Sequence, residues 1–500
     1  MKNLITILLF LLLVPFTKVQ AQTLTDSIGV NVQQTGRVFY VNSLTGVNNT
    51  TCSQVNPCKT FNQALALAQA GDTIYLEGTF EPIMVTKGGL TIEGIGSGAY
   101  IEGANSNVSR CVQIGSGELK PTAPNTTIRN VTVRNCRSHA IISYSPNTIV
   151  EYSTIIDSVL EAKNGGLFGS CIKGSQGAAN MIIRYNIVIR CWGEGIALTI
   201  VESLFAQIYG NVVHNTRSVG IYIDNSNNVE VFGNIVVCDN PLFQQNGQYS
   251  VAIGMSNEPY NYSPFYWTVG ILNNIKIHNN IVNGCKDGVY FFRYPGISEG
   301  AKNVTVTHNT IVNTTGGIGF DSGNGQINLQ VRNNITRNVY FASSVGASQS
   351  NNQPANANTF AVTPNGLDAN TYRLRTEISV PDFGIGTDFF GVVRNSPISI
   401  GAIEFIGSNV TLTPSATFSV PTVTNTPIYT ASPSITRTIT PTRTMTSTPT
   451  VTRTATGIPS NTPTPLVIGT PYLMCTVEPI GTPYLMCTVE PTRIACEIKP

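Results

Sequence analysis

Charge is scarce in this chain: Asp, Glu, Lys and Arg make up 11% of 500 residues and sum to +2. No basic field is therefore available to hold nucleic acid. Histidine is rarer still, with four residues, and no C-x-x-C or H-x-x-x-H spacing occurs, so the common Cys/His metal frames are missing. The Leu-x-x-Leu-x-Leu frame of a leucine-rich repeat is absent too, as is any helical pattern long enough for a βαβ crossover. After the first 22 residues no apolar run is long enough for a transmembrane span. Aliphatic residues, asparagine, glycine and threonine dominate what remains.

One phrase recurs six times: an aliphatic residue, two variable residues, an asparagine, a variable residue and usually another aliphatic. Its asparagines are Asn186, Asn211, Asn234, Asn280, Asn309 and Asn334. By subtraction they lie 25, 23, 46, 29 and 25 residues apart, the long gap being one turn with inserted loops. Around each, β-branched and polar residues alternate, and a Gly-aliphatic pair opens a second short strand, as in Gly195-Ile-Ala-Leu198 and Gly220-Ile-Tyr-Ile-Asp224. A period of this length built from short strands and turns predicts a parallel β-helix, each asparagine bonding to its copies about 4.8 Å above and below.

The flanks have other compositions. Residues 1–21 read as a secretory signal peptide: Lys2, an apolar run from Leu4 to Phe16, and a Val19-Gln20-Ala21 cleavage site. An N-terminal segment, 22–82, carries a short amphipathic helix with Thr60 at its start, Phe61, Ala64, Leu65 and Ala68 on one face, and Gly71 at its end. Such a helix suits the open end of the first coil. Coils occupy 83–345, a closing segment 346–406, and a Thr/Pro/Ser-rich stalk 407–500, which is expected to stay disordered because it cannot bury a core. The stalk ends in a verbatim duplication, 468–479 repeated as 480–491. Eleven cysteines in an exported chain point to disulfides with one left over. Cys52 and Cys58, bracketing a tight loop, form the best pair, and the six cysteines of the solenoid read as buried packing residues or inter-coil bridges.

The opening segment and the repeats resemble bacterial right-handed parallel β-helix proteins of the pectate-lyase-like superfamily. Tyr372-Arg-Leu374, Asp382-Phe-Gly384 and Ile400-Gly-Ala-Ile-Glu-Phe405 resemble the closing segment of the choice-of-anchor Q type. The resemblance implies an all-β, right-handed single-stranded parallel β-helix that is secreted or at the cell surface, with polysaccharide as partner and attachment through the C-terminal stalk. It implies no activity, since the superfamily holds lyases, hydrolases, epimerases and non-enzymes.

Chemistry is expected on outward residues of the second strands. Aligned on their glycines, these strands give one column of Lys173, Thr199, Asp224, Gly254, Phe292 and Asp321. Tyr222, Tyr290, Tyr294 and the loop residues Tyr260, Tyr262, Tyr266 and Trp267 would wall a groove suited to a sugar chain. Eliminative cleavage would use Lys173 or Arg293 as base, with the other, or calcium held by Asp224, neutralising the sugar acid. Hydrolysis would pair Asp224 with Glu194 or Glu202, because Asp321 lies about three coils, or roughly 14 Å, away. His278 and His308, one column apart on adjacent coils, read as exposed surface. A non-catalytic rod that binds glycan or mediates adhesion is the alternative.

Overall fold

The computed structural model describes residues 36–407, apart from 105–107, 118–119, 164, 166–168, 260–271, 295–296, 298, 322–325 and 343–345, together with the backbone of two strands near the C-terminus. The chain winds as a right-handed parallel β-helix. One coil shows the plan: Ile182–Arg184 and Ile187–Cys191 form two faces either side of a bend at Asn186, and Glu194–Thr199 forms a third. The next coil repeats it with Glu202–Tyr209, Val212–Thr216 and Ile221–Asp224. Pairing is parallel and in register, with Ile183 on Ile208, Val188 on Val213 and Ile196 on Ile221. Stacked this way, the first two faces make a bent sheet of nineteen strands and the third a sheet of ten.

Period-two alternation sends every other side chain of a strand inward. Ile172, Ile196, Ile221, Ile253, Val289 and Ile318 form one such column, all within a single core. The expected asparagine ladder runs through the bend. Asn186 Nδ2 donates to Asn211 Oδ1 at 3.0 Å, Asn211 to Asn234 at 3.0 Å, Asn234 to Asn280 at 2.9 Å, Asn280 to Asn309 at 3.0 Å, and Asn309 to Asn334 at 3.0 Å. Asn334 continues it to Asn352 at 2.8 Å, a rung the repeat phrase did not include.

Many of the remaining asparagines have a second reason. Sharp corners need left-handed backbone, which asparagine and glycine adopt most readily. At the corner leading into the first face, Asn147, Asn180, Asn228, Asn274, Asn303 and Asn328 all have φ between 51° and 56°. Side-chain bonds make a partial ladder of them on the surface, Asn180 donating to Asn147, Asn274 to Asn228 and Asn328 to Asn303.

The capping helix spans Phe61–Leu67 and buries Phe61, Ala64 and Leu65 as expected. It stops short of Gly71, because Ala68 is already extended, with φ −69° and ψ 148°. Lys87 Nζ donates to the carbonyls of Ala66 and Ala68, and Arg37 to that of Leu67, satisfying the helix's last acceptors from outside.

Residues after the last coil turn back along the flank. Phe360, Tyr372, Leu374, Val380, Ile398, Ile400 and Ile403 pack on the outward aliphatics Ile235, Val237, Ile281, Val312 and Ile335 of the second face. Arg394 pins this segment: wholly buried, it pairs with Glu404 at 2.9 Å and donates to Asn279 Oδ1 at 2.9 Å. The structure corrects the reading of two histidines: the closing segment covers His308, whereas His278 stacks on Phe232 and meets Glu230 at 3.2 Å. His278 is 9% exposed and His308 is fully buried, neither being free surface. Burial, with Arg394 nearby, drives His308 down to about 3.

Four disulfides form: Cys52–Cys58, Cys111–Cys136, Cys171–Cys191 and Cys238–Cys285. The last three tie consecutive coils. Separately, within 424–500, strands Leu485–Glu490 and Arg493–Ile498 pair antiparallel. The segment 1–21 read as a signal peptide lies outside the described residues.

Candidate functional site

The ten-stranded sheet presents the molecule's least repetitive surface. Its register runs Lys173, Ala197, Tyr222, Gly254, Tyr290, Gly319 in one outward column. A neighbouring column runs Thr199, Asp224, Ser256, Phe292. Aligning the strands on their glycines therefore misplaced Lys173 and Gly254, which stand two residues away from the Asp224 column. The cause is that Ser170 pairs with Glu194, and Ile221 with Ile253, each two residues off the alignment. Large and small residues alternate because each ring leans over its neighbour. A Cβ on Gly319 would come within 2.6 Å of the Tyr290 ring, and one on Gly254 within 2.8 Å of the Phe292 ring.

Polar groups converge around Tyr222. This residue is 6% exposed, and its hydroxyl donates to Glu258 Oε1. Burial, then the charges of Asp224 and Glu258, push the phenol upward, so it stays protonated. Glu258 stands at the head of the aromatic loop. Asn225 Nδ2 donates to its carbonyl at 2.8 Å and to Asp224 Oδ1 at 2.9 Å, and the Glu258 N–H approaches the same Asp224 oxygen at 3.4 Å. Asn257 anchors both ends of the loop, donating to the Glu299 carbonyl and accepting from the Leu272 N–H. Asp224 itself is 1% exposed and serves to hold this loop.

Glu194 begins its strand three residues before Ala197, the neighbour of Tyr222. It is half-buried and accepts from Ser170 Oγ at 2.7 Å. Burial raises its pKa most, Lys173 and the Ser170 bond oppose that, and Glu258 adds to it, with a net upward shift. An upward shift is the direction a carboxyl needs to serve as a general acid.

The remaining candidates scatter. Asp224 pairs with Thr199, five residues beyond Glu194, or roughly 16 Å along the strand. Glu202 is exposed, around the corner on the first face opposite Asn227. Arg293 is exposed just past Val289–Phe292, four coils from Lys173, or about 19 Å. Tyr290 is half-buried against Phe292, and Tyr294 is 43% exposed. Tyr260, Tyr262, Tyr266 and Trp267 lie outside the described residues. Among the described residues no three His, Cys, Asp or Glu side chains gather as a metal site.

Glu258, Ser170, His139 and Arg110 belong to this surface and were missed. Glu258 sits outside the repeat phrase, at the head of an insertion. The other three depend on a register that glycine alignment shifted. An acidic residue opening an aromatic loop, in a chain with only 27 acidic residues, was the available signal for Glu258.

The model of the family described as the right-handed beta helix region matches residues 72–263. Among solved structures, the pectate lyase Pel9A is similar at 15% identity, covering 74% of this chain and 96% of its own, with a TM-score of 0.43. XylC, solved with xylose, is similar at 11% identity, covering 73% and 98%, with a TM-score of 0.47. A GH87 alpha-1,3-glucanase from Streptomyces thermodiastaticus is similar at 16% identity, covering 63% and 64%, with a TM-score of 0.38. No curated protein matches the sequence.

Proposed function

We propose that the outer face of the ten-stranded sheet is a carbohydrate-active groove and that the protein hydrolyses an extracellular polysaccharide. The observation that carries this reading is Glu194, its pKa raised by burial and by the charge of a second carboxyl, Glu258, which the buried Tyr222 hydroxyl holds in place. Glu194 gives its proton to the glycosidic oxygen. Glu258 acts on the opposite side of the anomeric carbon, and water supplies the hydroxyl that the sugar gains. Tyr222 and Asp224 are positioning residues that fix the Glu258 side chain and the head of its loop. Elimination is the less favoured chemistry, because the two cations it would use, Lys173 and Arg293, stand four coils apart.

Export is part of the proposal. Four disulfides suit an oxidising compartment, as do the features of residues 1–21. No helix among the described residues is long and apolar enough to cross a membrane. The choice-of-anchor Q resemblance makes the C-terminal segment and tail the means of surface attachment.

The test is to incubate purified protein with a panel of neutral and acidic polysaccharides and assay new reducing ends alongside unsaturated uronide absorbance. Reducing ends without absorbance, falling about 10²-fold or more in Glu194→Gln, are expected. Absorbance would mean a lyase. Retention of a polymer with neither product would leave the non-catalytic glycan-binding rod.

A further inference from the structure

On the N-terminal side of Glu194, the same face carries a row with a different chemistry. Arg110 pairs in register with His139, and the next coil brings Ser170 and Lys173. Arg110 is half-buried, donates to Gln113 Oε1 at 3.0 Å and lies 5.3 Å from the Tyr144 ring centroid. His139 accepts from the Ser170 N–H through Nδ1 at 3.0 Å. That bond leaves its proton on Nε2, where it is a donor. Burial, then Lys173 and Arg110, drive the imidazole down to about 3, so it is neutral between two cations.

Lys173 is half-buried in the sheet surface, and among the described residues its ammonium has no hydrogen bond or ion pair within 4.0 Å. Partial desolvation of a cation without a bonded counter-charge is costly. Glu194 acts on Lys173 only through space, its carboxylate bond being to Ser170. Among the described residues of this row, three successive coils thus offer donors and positive charge, and the first acceptor carboxyl is Glu194. By coil spacing, Arg110 lies about 14 Å and Lys173 about 5 Å to the N-terminal side of the Glu194 coil.

Resting on the groove reading above, we infer that Lys173, with His139 and Arg110 behind it, is an anion subsite, so that the glycan is acidic and its carboxylate or sulfate lies next to Lys173. A neutral chain would leave the ammonium without an acceptor that the described residues of this row do not supply. The sugar bearing the anion then occupies the coils before Glu194, and the bond to be cut lies toward Tyr222.

Affinity electrophoresis tests this with Glu194→Gln protein, which leaves the polymer uncut. The acidic probes are polygalacturonate, alginate and chondroitin sulfate, and the neutral ones xylan, glucomannan and dextran. Retardation by at least one acidic polymer, weakened by added salt, is expected, with about a tenfold loss of affinity in Lys173→Gln. Arg110→Gln should lose less. An unchanged melting temperature shows that the variants are folded. Equal retardation with and without Lys173, or retardation by neutral polymers alone, overturns the anion subsite and leaves the groove standing. If no polymer is retarded by Glu194→Gln or cut by the unaltered protein, the groove reading itself falls, and the subsite with it.

Discussion

Two columns of the same solenoid behave in opposite ways. At the bend, Asn186, Asn211, Asn234, Asn280, Asn309, Asn334 and Asn352 repeat one residue across seven rungs. On the ten-stranded sheet, Lys173, Ala197, Tyr222, Gly254, Tyr290 and Gly319 share a column and little else. The difference follows from what each position must satisfy. A buried amide needs a matching amide about 4.8 Å away, so any other residue strands two neighbours. An outward position on the sheet owes its neighbours only space, which alternating tyrosine and glycine supply. In a coil repeat, identity marks what holds the coils together, and departure from it marks where specific chemistry fits.

The strongest way to break that contrast is Asn280→Leu. Its amide donates to Val231 O, His278 O and Asn309 Oδ1, and its oxygen accepts from the Asn234 N–H and side chain. Several buried groups would be orphaned at once, and a loss of about 3 kcal/mol or more in urea unfolding is expected. Glu194→Gln should do the reverse on a smaller scale. With its pKa raised in the folded state, the stability due to Glu194 is full below the ordinary carboxylate range and lost as pH rises through the raised value. The glutamine variant should therefore be more stable than the parent at neutral pH and equal to it in acid, so unfolding midpoints at pH 7 and pH 4 decide the matter. Smallest of all should be Asn303→Gly in the exposed ladder. Glycine keeps the φ of 51°, and water replaces the lost side-chain bonds, so a change within about 0.5 kcal/mol is expected.

The bend column could be read from sequence because its residues are constrained one by one: an aliphatic, then the asparagine, at a fixed offset in every coil. Cys52–Cys58 was equally legible, since a sequence separation of six brings the two together whatever lies beyond. The site could not be read the same way. Lys173 was aligned to the wrong row because Gly169 and Gly195 are not equivalent, and only backbone pairing reveals that Ser170 meets Glu194. Glu258 reaches Tyr222 from an insertion 36 residues later in the chain, a distance no repeat phrase spans. His308 looked like surface because its cover comes from about ninety residues downstream, and His278 because its partners, Phe232 and Glu230, stand one coil before it.

That cover has a mechanical meaning. The chain leaves the solenoid beyond Arg394 and Glu404 on its flank, where three successive coils contribute: Asn279 to Arg394, Thr310 to Ala402 and Asn333 to Gly401. A pull on whatever follows Gly407 is first divided among these coils by a buried ion pair and a packed apolar strip. The terminal coil is spared the peeling load that would unzip a stack of strands one rung at a time.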